Sequence, residues 1–475
     1  MPFFSVLPSA TRRVLLTLAP ALAALALTAC AWNPSPRPEV PPIVFVHGNG
    51  DSAAVWQTTM WRFESNGWPR DRLFALQQPW PLARDDDSKP QEGRSSTEDS
   101  LQFLRTEVAK VQALTGAKKV VLMANSRGGL TIRNYIQNGG GAQTVSHAIL
   151  GGSPNHGVWA IPGFREGNEF SGTGPFLKKL NTRRNDKGDE VDAGVQWLTL
   201  RSDNNDKYAQ PEGTWIGAKG KPTGVTVAGP ELKGATNLVA PRIDHRETSF
   251  SPTAFDAAYR FITGQAPQWT RIWPEYAPEL DGSITGQGLR PSDNTSGNFS
   301  NNLPLPGARL EIYAVSGDSG ERLSPEPVYR RTVGDDGRWG PFRGLQGTHY
   351  EFVIRATGYA TTHIYRSPFL RGSQAVHLRA ERFANDEMAS AAVIRLTRPR
   401  GYFDPTNNFA SFDGQSPPPG ITVEPVAGLS SSRILLPKPQ NRAIRAEFHT
   451  DEIERVVGRT WAARDNHLVV LELTN

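Results

Sequence analysis

The chain reads Val120-Val121-Leu122-Met123-Ala124-Asn125-Ser126-Arg127-Gly128-Gly129, so that an apolar run meets a serine with small neighbours. The run predicts a buried strand over 118–123, and the apolar positions over 130–136 predict a helix directly after it. A serine between such a strand and helix lies in a strained turn, where the residues two before and two after it must be small. Ala124 and Gly128 meet this requirement.

Strand-like runs alternate with helical patterns on both sides of this turn, from Ile43 to about Gly264. Further strands are predicted at 43–46, 146–150 and 196–200. Ser95 and Glu98 have the spacing of a capping box, after which apolar residues recur at helical spacing. The alternation predicts a largely parallel sheet covered by helices on both faces.

Length and composition exclude several classes of protein. At about 150 residues per domain, 475 residues predict about three domains. The 45 Gly and 38 Pro residues favour many turns over long helices or a coiled coil. The net charge of +5 includes Arg12 and Arg13, which we expect to be removed with a leader, leaving +3 (5 − 2). Such a small excess argues against a nucleic-acid binder.

The N-terminus has the pattern of an export signal. Arg12 and Arg13 precede an apolar run over 14–27, which at about fourteen residues is too short to span a bilayer. Leu27-Thr28-Ala29-Cys30 resembles a bacterial lipobox, which implies a signal peptide over 1–29 and lipidation of Cys30. We therefore expect a lipoprotein of the cell envelope, at the outer membrane, anchored in the lipid bilayer through acylated Cys30.

Two questions about this segment stay open. The paired arginines also resemble a twin-arginine export signal, although such a pair is common by chance. The alternative to lipidation is an ordinary cleaved signal with an incidental cysteine, which would give a secreted or periplasmic protein. With a single cysteine, the chain has no intramolecular disulfide.

The rest of the chain divides by composition. A proline-rich tether is predicted over 30–42, and the α/β domain over 43–264, with an insertion at about 157–192. An aromatic and proline-rich linker covers 265–280. Short β-type runs broken by turns then predict an all-β sandwich or barrel-like region, divided into a β-sandwich over 281–380 and a second β region over 381–475.

Three more groups of residues stand near predicted strand ends. His47-Gly48-Asn49-Gly50 follows the first strand, and Asp203 and Asp206 follow the strand at 196–200. His245 follows a strand-like run at 237–239 and precedes a helical stretch over 252–262. Taken alone, Gly48 and Gly50 could simply make a tight turn, and Asp203 and Asp206 could each do no more than cap a turn.

Together with Ser126, these residues resemble the α/β-hydrolase superfamily, specifically its bacterial lipase and esterase branch, over about residues 40–264. The resemblance implies a nucleophile, an acid and a histidine in that chain order. Ser126 is then the nucleophile and His245 the base, since no other later histidine lies within the domain. The turn pattern of this lipase group favours Asp206 as the acid, with Asp203 as the alternative.

The resemblance also implies an oxyanion hole formed by the backbone N–H groups of Asn49 and Arg127. A hydrophobic carboxylic ester is the expected substrate, with triacylglycerols, simple esters and polyesters all open. An acyltransferase with the same triad and a non-catalytic surface lipoprotein are the alternatives. No metal, organic cofactor or nucleic acid is expected, and the oligomeric state is unknown.

Two regions each allow more than one role. The apolar residues of the insertion could form the apolar face of a lid, although local packing is the commoner role of such residues; they are Phe164, Phe170, Phe176, Leu177 and Leu180. The β region could bind aggregated substrate, or it could serve as a spacer or a dimer surface.

Overall fold

The computed structural model describes residues 40–203, 206–212, 216–290, 299–422, 428–438 and 441–475. The predicted signal peptide, Cys30 and residues 31–39 of the tether lie outside the described residues. Within these ranges, no helix combines the length and the apolar character needed to cross a bilayer.

Six strands form one parallel sheet in the order β2-β1-β3-β4-β5-β6. They are β1 (Ile43–Val46), β2 (Leu73–Ala75), β3 (Val120–Asn125), β4 (Val145–Gly151), β5 (Gln196–Ser202) and β6 (Thr236–Ala240). The predicted parallel sheet is confirmed. Strand β3 begins two residues later than predicted and continues to the residue before Ser126.

Helices cover both faces of this sheet. The α-helices are α1 (Gln57–Ser65), α2 (Thr97–Thr115), α3 (Arg127–Asn138), α4 (Pro175–Leu180), α5 (Glu247–Phe250) and α6 (Pro252–Thr263). Residues of α2 and α3 pack with Val44 and Leu122 on one face. On the other face Phe45 contacts Trp56, and Phe63 of α1 meets Phe255 of α6 at a ring distance of 5.1 Å.

The N-terminus of α2 differs from the sequence prediction by one residue. Ser96, not Ser95, is the N-cap, and its side chain accepts a hydrogen bond from the Asp99 N–H while Asp99 accepts one from the Ser96 N–H. Aspartate replaces the expected glutamate in this reciprocal pair because its carboxylate also reaches the N-cap amide. Ser95 instead accepts a hydrogen bond from Arg127 of α3.

The C-terminal half forms three sheets. The middle sheet has seven strands in the order β16-β14-β19-β12-β11-β8-β9, and each three-stranded sheet packs on one of its faces. The middle strands are β8 (Arg309–Val315), β9 (Tyr329–Thr332), β11 (His349–Arg355), β12 (Thr361–Arg366), β14 (Ala392–Thr397), β16 (Ser431–Leu436) and β19 (His467–Glu472). The outer strands are β7 (Glu279–Gly286), β10 (Phe342–Arg343) and β13 (Ser373–Ala380) on one side and β15 (Phe409–Phe412), β17 (Ala443–His449) and β18 (Ile453–Arg459) on the other.

The all-β character predicted for this half is confirmed, as mixed and antiparallel sheets. The middle sheet combines strands from residues 281–380 with strands from 381–475. Its residues alternate between two cores, so that Val393 packs on one side and Ile394 on the other. A strand that is buried on both faces can carry apolar residues at successive positions, as Leu468, Val469, Val470 and Leu471 of β19 do.

The β region packs directly against helix α1. Trp61 is buried in the core between β7, β13 and the middle sheet, and its indole N–H donates to the Gly372 carbonyl at 2.7 Å. Glu64 accepts hydrogen bonds from Arg70 and Arg371 beside it. Residues 41–475 thus form one compact unit.

Candidate active site

Ser126 occupies the strained turn that the sequence predicts between strand and helix. Its backbone has φ +53° and ψ −124°, a conformation that costs a non-glycine residue on the order of 1–3 kcal/mol. A Cβ atom at Gly128 would lie 2.5 Å from the Val46 carbonyl oxygen, so only glycine allows α3 to approach the end of β1 this closely. The turn therefore presents Ser126 beside the His47-Gly48 segment.

Asp206 and His245 meet beyond the carboxyl ends of β5 and β6. The His245 Nδ1 lies 2.8 Å from Asp206 Oδ2, and both side chains are buried. Asp206 also accepts hydrogen bonds from the Ser202 hydroxyl at 2.7 Å and the Tyr208 N–H at 2.8 Å. The carboxylate is thus held on both of its oxygens, with one of them directed at the imidazole.

The electrostatic surroundings keep Asp206 ionised. Burial raises the pKa of its carboxyl, but the attraction of His245 and the hydrogen bonds from His245, Ser202 and Tyr208 outweigh burial and hold the pKa below its ordinary value. An ionised acceptor at Nδ1 favours the tautomer in which Nε2 carries the lone pair. His245 is thereby arranged to accept a proton at Nε2.

The backbone of His245 is fixed by residues that the sequence analysis did not single out. Asn125, directly before the serine, donates from Nδ2 to the His245 carbonyl at 3.1 Å, and the Thr248 hydroxyl donates to the same oxygen at 2.8 Å. The Tyr208 ring contacts the imidazole at a centroid distance of 4.6 Å. No local sequence pattern marks Asn125, because its partner lies 120 residues away.

Ser126 and His245 line the same cavity, with a volume of about 300 Å³. Its apolar wall consists of Ala83, Pro154, Val158, Trp159, Phe170 and Ile216. Its polar and charged lining residues are Asn49, Asp51, Asp85, Arg94, Arg165, Asn168 and Arg246, and Tyr208 and Tyr402 complete the lining. The cavity therefore joins a hydrophobic surface to the predicted reacting groups.

The predicted oxyanion-hole residues lie at two chain turns next to Ser126. Arg127 is the first residue of α3, where a helix leaves its N–H groups without intrahelical partners. Asn49 follows β1, and its Oδ1 accepts the Ala83 N–H at 2.7 Å. His47 is buried within this turn, where its Nδ1 contacts the Gly48 carbonyl at 2.9 Å and its Nε2 accepts the Gln78 N–H.

The Arg127 side chain ties this turn to the insertion. It donates from Nε and Nη2 to the two oxygens of Glu169 at 2.8 Å each, and both side chains are almost fully buried. Burial raises the pKa of Glu169 even though Arg127 opposes that shift. Such a bidentate, desolvated pair fixes geometry more than it adds stability.

The insertion has more order than its sequence indicates. Leu177 and Leu180 of α4 are fully buried against Leu130 of α3, so they belong to local packing rather than to an exposed lid face. Phe170 lines the cavity, and Phe164 packs against Trp159 at its edge.

Asp203 has a different environment from Asp206. Its Oδ2 accepts the Arg242 N–H, in the turn after β6. In the described part of the chain, no group of three or more His, Cys, Asp or Glu side chains could hold a metal ion.

Two family models match the chain. The model for lipase (class 2) matches residues 40–169, which include Ser126, Asn49 and Arg127. The model for the lipase C-terminal domain matches residues 278–383, which begin just before β7.

The solved structures to which the chain is similar include a fungal and a bacterial lipase. Lipase B of Aspergillus fumigatus is similar at 16% sequence identity and a TM-score of 0.34, with coverage of 49% of this chain and 54% of that chain. The Bacillus licheniformis lipase BlEst2 in its propeptide form is similar at 15% sequence identity and a TM-score of 0.34, with coverage of 90% of this chain and 94% of that chain. This chain thus spans about half the length of the fungal lipase.

Gly128→Ala is expected to destabilise the protein, because the added methyl group would overlap the Val46 and His47 carbonyl oxygens at 2.5 and 2.8 Å. Overpacking of this kind typically costs about 1–3 kcal/mol in the free energy of unfolding, which urea titration measures. Gly334→Ala is the matched control, since the nearest atom to its Cβ is 3.7 Å away. Equal stability of the two variants would contradict the close approach of α3 and β1.

Proposed function

We propose that the chain is a carboxylic ester hydrolase of the α/β-hydrolase lipase and esterase type, and that Ser126, His245 and Asp206 are its catalytic triad. The observation that carries this proposal is the 2.8 Å hydrogen bond between Asp206 and the imidazole that shares a cavity with Ser126. The triad would act through an acyl-enzyme.

The chemistry follows from these positions. His245 takes the proton of the Ser126 hydroxyl at Nε2 as the oxygen attacks the ester carbonyl, and Asp206 stabilises the imidazolium that forms. The imidazolium then protonates the leaving alcohol, and the acyl group stays on Ser126. Water, deprotonated by the same imidazole, releases the carboxylic acid and restores the serine.

The N–H groups of Asn49 and Arg127 would stabilise the negative charge that develops on the carbonyl oxygen. Loss of one such donor typically lowers the rate by about 10²–10³-fold. The Arg127–Glu169 ion pair supports this role, because a rigid side chain keeps the first turn of α3 in place. Pre-organised donors need no reorientation during the reaction.

The cavity supports a hydrophobic ester as the substrate. Trp159, Phe170 and Ile216 offer an apolar surface to an acyl chain or an equally apolar alcohol. Aliphatic polyesters, whose segments are short apolar esters, fit the same description as acylglycerols. The proposed location is the cell envelope, with the hydrolase anchored through lipidated Cys30.

Ser126→Ala is expected to lower kcat for p-nitrophenyl butyrate by about 10⁴-fold or more, because the nucleophile is removed while the backbone turn remains. A colorimetric assay measures the loss, and an unchanged thermal midpoint would show that the variant is folded. Activity within tenfold of the unaltered protein would refute the assignment of Ser126.

Asp206→Asn and Asp203→Asn form a matched pair that tests the acid. The amide of Asp206→Asn would donate to Nδ1 and stabilise the wrong tautomer, so kcat is expected to fall by about 10³–10⁴-fold. Asp203→Asn should change kcat by less than about fivefold, since the Asp203 carboxylate accepts the Arg242 N–H, whereas it is Asp206 that contacts the imidazole of His245. The opposite ranking in the same assay would identify Asp203 as the acid.

Cys30→Ser tests the anchor, because a serine lacks the thiol that is acylated. The unaltered protein is expected in the membrane pellet after cell lysis and should take up an alkyne-labelled fatty acid, while Cys30→Ser should be soluble and unlabelled. Soluble p-nitrophenyl butyrate activity should be the same for both. Recovery of the unaltered protein without label would rule out lipidation.

A further inference from the structure

We propose that the C-terminal β region is part of the active site, because Arg398, Pro399 and Tyr402 hold the segment that carries His245 and Tyr402 also lies in the wall of the catalytic cavity. This inference rests on the proposed role of His245 and assigns the β region a positioning function within the same site. Four observations support it: the hydrogen bonds of the turn around His245, the contacts of Arg398, the dependence of two buried carboxylates on the charge of Arg398, and the contacts of Tyr402.

His245 lies in a short turn closed by two carboxylates. Asp244 Oδ1 accepts the N–H groups of Arg246 at 2.7 Å and Glu247 at 2.9 Å, while the Asp244 N–H donates to Glu247 Oε2 at 2.8 Å. These bonds form a reciprocal pair that closes the turn directly before α5. The position of the His245 Cα therefore depends on the positions of Asp244 and Glu247, its neighbours one and two residues away.

Arg398, which directly follows β14, donates hydrogen bonds to the carboxylates of both Asp244 and Glu247. Its Nη1 donates to Asp244 Oδ2 at 3.2 Å and its Nη2 to Glu247 Oε1 at 2.6 Å, although these residues lie about 150 positions apart in the chain. The guanidinium is 1% exposed and stacks on Phe448 at 4.4 Å. Its Nε donates to the Asn475 carbonyl at 2.9 Å, which fixes its direction.

The two carboxylates depend on this cation. Burial and the neighbouring Glu247 carboxylate raise the pKa of Asp244 above its ordinary value, and the attraction of Arg398 and the hydrogen bond from the Tyr402 N–H limit that rise. Breaking a buried charge pair by removing one partner leaves an uncompensated charge, so the turn would rearrange or take up a proton. Either change would move the imidazole relative to Ser126.

Tyr402 brings the same loop to the cavity itself. Its N–H donates to Asp244 Oδ2 at 2.6 Å, and its ring lines the cavity with Ser126 and His245. The Arg246 guanidinium lies over this ring at 5.4 Å, pairs with Asp51 at 2.9 Å and donates to the Pro399 carbonyl. The wall of the catalytic cavity thus includes a side chain from the β region.

Arg400 provides a matched control in the same loop. Its side chain is also buried, at 2% exposure. It donates hydrogen bonds to the carbonyl oxygens of Thr474, Leu473 and Ala54, which all lie outside the segment 244–247. Loss of Arg400 should therefore affect stability, whereas loss of Arg398 should affect stability and the chemical step. A displacement of about 1 Å at a catalytic group can cost about 10²-fold in rate.

The experiment compares Arg398→Met, Arg398→Lys and Arg400→Met in the full chain with p-nitrophenyl butyrate, well below each thermal midpoint. Arg398→Met is expected to lower kcat by about 10–100-fold with KM within about twofold, and Arg398→Lys to recover part of that loss. Arg400→Met should lower the thermal midpoint and keep kcat within about twofold. Equal kcat values for Arg398→Met and Arg400→Met would overturn the proposal.

Further variants decide the remaining outcomes. Where Arg398→Met does not fold, Arg398→Lys decides, and a kcat equal to that of the unaltered protein would overturn the proposal. Tyr402→Ala keeps the backbone N–H that donates to Asp244 and should change the ratio of KM for long-chain esters to KM for short-chain esters by at least about threefold. Tyr402→Phe is the control and should leave this ratio unchanged. An unchanged ratio in Tyr402→Ala would contradict the place of the Tyr402 side chain in the cavity wall. Ser126→Ala, measured beside them, separates failure of this proposal from failure of the triad itself.

Discussion

The contact between the first turn of helix α3 and the end of strand β1 is the constraint on which the rest of the site depends. Ser126 accepts a strained backbone conformation, and Gly128 allows α3 to lie against the Val46 carbonyl. This contact brings the turn after β1 to the serine. Asn125, the last residue of β3, then reaches the His245 carbonyl, so one close approach organises both sides of the proposed triad.

The parts of this arrangement that depend on local pattern could be predicted from the sequence. Strand β3 and helix α3 follow from apolar periodicity and small residues around Ser126, and the His245–Asp206 contact agrees with the chain order of the resemblance. Helix α1 could not be predicted, because its inward residues meet aromatic partners from α6 and the β region rather than a simple apolar stripe. Arg398 was also missed, since a charged residue after a strand resembles a surface position until its distant carboxylates are known.

The two halves of the chain are joined by apolar packing and by buried charge. Trp61 enters the core of the β region, while Arg398 lies between the carboxylates that flank His245. Apolar contacts tolerate small shifts, whereas desolvated ion pairs require exact partners. The combination explains how the β region can hold part of the proposed site in one geometry rather than only adding surface to it.

The position of strand β19 determines when during folding the β region can support His245. β19 lies between β12 and β14 and runs parallel to both, so the middle sheet has a gap in its centre until residues 467–472 are available. Pairings between such distant segments form late in folding. A chain in which residues 467–472 have not yet joined the middle sheet therefore lacks the support for His245, and the proposed triad is completed only late in folding.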